Sequence, residues 1–113
     1  MHEMALTESI VQAIEDGAAQ HGYAAVKGVW LEIGALAGVE VEALRFCFDA
    51  VSRGTIAEGA RVEIVDVPGT AWCLPCGKTI AIAQKFDACP DCGSHQLQIT
   101  GGEEMRIKEL EVN

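Results

Sequence analysis

Four of the five cysteines fall into two Cys-x-x-Cys pairs, Cys73-Leu74-Pro75-Cys76 and Cys89-Pro90-Asp91-Cys92, separated by a short stretch. Soft thiolate donors in two such pairs are the donor set of a tetrahedral zinc site. Each pair can close into a knuckle whose backbone amides point at the sulfurs. The glycine after each pair, Gly77 or Gly93, can take the positive φ that such a turn needs. A rubredoxin-like iron site, redox-active thiols or a disulfide would use similar residues. Four thiolates on one zinc leave no position for an activated water, so the expected role of Cys73, Cys76, Cys89 and Cys92 is structural.

A second chemistry sits at the opposite end. His2 follows Met1, and a small second residue is normally required for methionine removal, so Met1 is expected to stay. The terminal amine, the His2 amide nitrogen and the His2 imidazole can then converge on one ion, with the Glu3 amide as a fourth donor. Nickel(II) and copper(II) favour planar nitrogen sites of this kind. Read on its own, a histidine near a chain terminus is more often incidental. Glu3, Glu40 and Glu42 read as acidic residues at helix starts, where they complement the helix dipole. His21 reads as a surface residue near a helix end. His95, three residues past Cys92, is a neighbour or substitute ligand of the thiolate site. Cys47, in Phe46-Cys47-Phe48, reads as a small buried hydrophobe.

Charge narrows the function classes. The 113 residues carry a formal charge of −9, and four thiolates with Zn²⁺ would add about −2 more. Nucleic-acid binding requires a basic surface, so no nucleic-acid partner is expected. No apolar run is long enough for a membrane span, and the opening Met1-His2-Glu3-Met4 lacks a basic segment with an apolar core behind it. A cytoplasmic location, where thiols stay reduced, is the expectation. No Ser/His/Asp set and no phosphate-cradling glycine loop is visible, so the chain is not expected to be an enzyme.

These residues must be positioned by a small fold. Leu6, Ile10, Val11, Ile14 and Ala18 lie on one face of a helix that Gly22 can stop. Val29, Leu31 and Ile33 alternate as in a strand. Val41, Leu44, Cys47, Phe48 and Val51 form a second helical stripe ending near Gly54. Val62 and Ile64 begin a strand with a phase shift at Val65, and Pro68-Gly69 breaks it. From about Trp72 to Ile99 few apolar residues remain for a core, so zinc is expected to do the work of one. Met105, Ile107, Leu110 and Val112 read as a returning strand. The expected fold is α+β: a small mixed or antiparallel sheet with two helices, and an inserted four-cysteine zinc-ribbon-like module. The expected division is a base of residues 1–70, completed by a strand at 103–113, and a zinc-binding domain at 71–102.

The whole chain resembles the HypA/HybF family of nickel metallochaperones. The residues that carry the resemblance are Met1-His2-Glu3, the strand Gly28-Val29-Trp30-Leu31-Glu32-Ile33-Gly34, the helix Leu44-Arg45-Phe46-Cys47-Phe48-Asp49, the segment Gly54 to Glu63, both cysteine pairs and Met105-Arg106-Ile107. An initial Met-His-Glu together with two late Cys-x-x-Cys pairs is specific, whereas either alone is not. The resemblance implies that His2 anchors nickel, with Glu3 contributing its backbone amide or carboxylate, and that the four paired cysteines bind zinc. It implies nickel delivery during NiFe-hydrogenase maturation. The implied partners are a HypB-like GTPase accessory protein and the immature hydrogenase large subunit. Some family members have a histidine directly after a knuckle; here those positions are Gly77 and Gly93. The alternatives are a zinc-ribbon protein–protein interaction module without metal delivery, and a thiol oxidoreductase.

Overall fold

The structure is a computed structural model and describes residues 3–113. His2, the expected nickel anchor, lies outside the described residues. The element order is α1 (Glu3–His21), β1 (Val26–Gly34), α2 (Val41–Ser52), β2 (Arg61–Val67), β3 (Gly69–Cys73), β4 (Lys78–Ile82), β5 (Leu97–Gly101) and β6 (Met105–Val112). Two three-stranded sheets result, ordered β2-β1-β6 and β4-β3-β5. This is the expected α+β architecture, with the four-cysteine module inserted before the returning strand.

The described chain divides into two compact units. The first takes Met1–Leu31, Val39–Ile64 and Ile107–Asn113; the second takes Glu32–Gly38 and Val65–Arg106. In the first, α1 packs on α2. Ile10, Val11 and Ile14 are buried on one helix, Leu44 and Phe48 on the other, and Val26, Val29 and Leu31 on β1. These are the periodic positions of the sequence, three and four apart on the helices. The amide of Gly22 donates to the Ala18 carbonyl at 2.8 Å and so caps a carbonyl the ended helix would orphan. The Tyr23 hydroxyl donates to the Ile14 carbonyl at 2.6 Å. The phase shift in β2 falls at Ile64–Val65, where the strand leaves the first unit for the second.

The second unit corrects one expectation. The segment around the cysteines does have a core: Leu36, Ala71, Ile80 and Ile82 are buried together with Cys73 and Cys89, and Leu97 and Ile99 pack against them. It is built by the β4-β3-β5 sheet, in which β3 pairs antiparallel with both neighbours. Ala71 faces Ile80 on β4 and Ile99 on β5, so one side of the sheet is apolar across all three strands. The remaining wall is Leu36, from a segment that reads in sequence as a turn between Gly34 and Gly38. Its amide donates to the Gly102 carbonyl at 2.8 Å, and that of Ala35 to Val67 at 2.8 Å.

Candidate metal centre

Strand β3 delivers Cys73 to the end of a ladder and into the core, where it is fully buried. Cys76 follows in the turn that starts β4. The second pair has no strand of its own; the amide of Cys89 donates to the Ser94 carbonyl at 2.8 Å, which closes the loop around it. Both pairs fold the same way. The Gly77 amide donates to the Cys73 carbonyl and the Gly93 amide to the Cys89 carbonyl, each at 2.8 Å. Gly77 has φ 64° and Gly93 φ 76°. A side chain at either position would be strained, which is why glycine follows each pair.

The two knuckles bring the four Sγ atoms together, all within 4.8 Å of one another. Cys73 and Cys92 are 3.6 Å apart and Cys76 and Cys89 4.0 Å. A tetrahedron with sulfur about 2.3 Å from its centre has edges of about 3.8 Å. The geometry thus fits a tetrahedral ion such as zinc, and no cysteine is in a disulfide. Burial pushes the Cys73 thiol up, while the Cys76 amide favours its thiolate. Hydrogen bonding with Cys92, then with Cys73, pushes Cys76 up to about 12. Cys89 moves the other way, to about 7, chiefly because the Cys92 amide donates to it, with the Asp91 amide adding. The knuckle amides of Cys92 and Asp91 thus favour the Cys89 thiolate.

Sequence reading missed a link between the knuckles. Lys78, next to Gly77, forms a 2.6 Å ion pair with Asp91 inside the second pair. Both side chains are about half exposed, so its stabilisation is under about 1 kcal/mol. Nothing in the sequence pairs these two residues. His95 is exposed and outside the cysteine cluster. Cys47 is half-buried on α2, away from any ligand cluster among the described residues. His21 is exposed in the last turn of α1.

At the other expected site the structure describes Glu3 and its surroundings. Glu3 opens α1, and its Oε2 accepts from the amide of Glu40, the N-cap of α2, at 3.2 Å. The starts of the two helices are therefore tied together by a residue adjoining His2. Thr7, fully buried, donates to the carbonyls of Glu3 and Met4 and fixes the first turn.

A family model described as "Hydrogenase/urease nickel incorporation, metallochaperone, hypA" matches residues 1–112. The chain belongs to the HypA family. The hydrogenase maturation factor HypA of Azotobacter chroococcum is 62% identical over 112 residues, 99% of each chain. That of Azotobacter vinelandii is 59% identical with the same coverage. The solution structure of the nickel metallochaperone HypA from Helicobacter pylori shares the fold at a TM-score of 0.71 and 24% identity, over 99% of this chain and 97% of that one. HypA is a metallochaperone and maturation factor for nickel incorporation, not an enzyme. No helix among the described residues is long and apolar enough to cross a membrane.

Proposed function

We propose that this HypA chain binds Ni(II) through His2 and the adjoining backbone and delivers it to the NiFe-hydrogenase large subunit. The end-to-end family match, with relatives near 60% identity named hydrogenase maturation factors, carries the reading. The Glu3 carboxylate is engaged with the start of α2, which favours the Glu3 backbone amide as the nickel donor. Zinc is the proposed resident ion of Cys73, Cys76, Cys89 and Cys92, which would hold it as thiolates; bound there, it would stabilise the second unit without turning over substrate. We place this work in the cytoplasm, with a HypB-like GTPase accessory protein and the immature large subunit as partners. Nickel then belongs to the base of residues 1–70 and 103–113, and zinc to the domain at 71–102.

The test is calorimetry with nickel on untagged protein, His2→Ala and an amino-terminally Gly-Ser-extended form. His2→Ala should lose the site while keeping its zinc, and affinity should fall with pH because protons compete for imidazole and amine. Tight nickel binding by His2→Ala would refute the site. Tight binding by the extended form would remove only the terminal amine from it.

A further inference from the structure

The two knuckles are not held equally. The first is closed by a ladder: Cys73 ends β3 and pairs with Lys78, which opens β4. The second, residues 89–94, belongs to no strand and closes on itself, through the Cys89 amide to the Ser94 carbonyl and the Gly93 amide to the Cys89 carbonyl. Among the described residues, contacts between the cysteine sulfurs aside, a single hydrogen bond or ion pair joins it to the first: Lys78 Nζ to Asp91 Oδ2, at 2.6 Å. Cys92, in the second loop, is exposed, whereas Cys73 in the first is fully buried. The sulfur most open to solvent is thus on the knuckle with the fewest ties.

Asp91 joins this ion pair to the cage. Its main-chain amide donates to the Cys89 sulfur, while its carboxylate is held by the residue that follows the first knuckle. Swinging the second loop away from the first must therefore break the ion pair. Local opening is governed by the few contacts it breaks and not by the stability of the whole fold. Both side chains are about half exposed, so the pair adds little to folding stability; its effect falls on the opening. We propose that Lys78 and Asp91 form a latch that keeps the second knuckle closed on the first and so sets the rate at which the four cysteines give up their zinc to an outside chelator. The latch rests on zinc as the resident ion of the cage. Lys78 also stands near the sulfurs: Asp91 first, and then the charges of Cys76 and Cys89, raise its ammonium above the usual lysine range. Attraction of anionic ligands by that ammonium is a different role, and the charge of the chelator separates the two.

The experiment is timed removal of zinc from the full chain, with the zinc left on the protein counted by native mass spectrometry. Two probes are used, the neutral chelator TPEN and anionic EDTA, each at concentrations where the rate no longer rises. Lys78→Ala and Asp91→Asn should each start with about one zinc per chain and lose it to TPEN about two- to fivefold faster than wild type, the size of an exposed ion pair. The double variant should be no faster than either single one, because the two residues act as a unit. Lys78→Arg, which keeps the pair, should stay within about twofold of wild type. Unchanged TPEN rates in both single variants, or accelerations that multiply in the double variant, overturn the latch. Slower loss to EDTA with an unchanged rate to TPEN in Lys78→Ala assigns Lys78 to the attraction of anions and overturns the latch as well. Wild-type protein purified without zinc overturns the zinc reading, and the latch with it.

Discussion

In the first unit the buried positions are filled by Ile10, Ile14, Val29, Leu31, Leu44 and Phe48; in the second, two of the most buried groups are the sulfurs of Cys73 and Cys89. The same side chains that would hold an ion are there also the packing. The first unit draws its stability from apolar area, at about 25 cal/mol per Å² removed from water. The second has Ile33, Leu36, Ala71, Ile80 and Ile82 as its buried aliphatic residues, a small core for a segment of that size. Ligation and burial are coupled in the second unit, and no ion is needed to explain the packing of the first.

The sharpest way to break that contrast is Cys89→Ser. It removes a ligand and places a hydroxyl in an apolar core, so zinc and the amide dispersion of residues 65–106 should both be lost while the first unit keeps its helical circular dichroism. Structural zinc contributes on the order of 10 kcal/mol in small domains. Retained zinc with an ordered second unit, by mass spectrometry and NMR, would show the coupling to be absent. Phe48→Ala is the mirror experiment. Phe48 is 2% exposed, and its truncation should cost about 3–5 kcal/mol of stability, read as a lowered denaturation midpoint with zinc stoichiometry unchanged. Zinc loss in that variant would mean that the two units do not stand or fall separately.

A third test uses protons. Cys89 is drawn down to about 7, so its thiolate is lost as pH falls through that value. Cys73 and Cys76 are raised and keep their protons at neutral pH until a metal displaces them. Zinc uptake near pH 7 should therefore release at least about two protons, and affinity should drop by at least roughly a hundredfold per unit of acidification. Calorimetry in buffers of different ionisation enthalpy counts them, and release of clearly fewer than about two would contradict the protonated pair. The smallest effect belongs to Lys78→Ala. Its partner Asp91 is 51% exposed, so stability should change by less than about 1 kcal/mol and zinc should stay bound.

Legibility in the sequence follows the same divide. The helices and β1 are readable because Ile10, Ile14, Leu44 and Phe48 repeat at helical spacing and Val29, Leu31 and Ile33 alternate. The four-cysteine cluster is readable because ligand spacing is local. The core of the second unit is not, because Leu36 and Ile80 are 44 positions apart in the numbering and no local period joins them. The tie between Glu3 and Glu40 is equally hidden: each looks like an ordinary acidic residue at its own helix start, and only the packing of α1 on α2 sets one beside the other.

The matched turns of the two knuckles separate the loop's shape from its surface. In each, the carbonyl-to-glycine bond and the sulfur-facing amides come from main-chain atoms, so the two residues between the cysteines are not needed to shape the loop. Leu74-Pro75 occupies that slot in one and Pro90-Asp91 in the other. Side chains at these positions can vary where the main-chain amides of Leu74 and Asp91 are kept. They give the two knuckles different surfaces, an apolar side chain on the first and a carboxylate on the second, over the same sulfur cage.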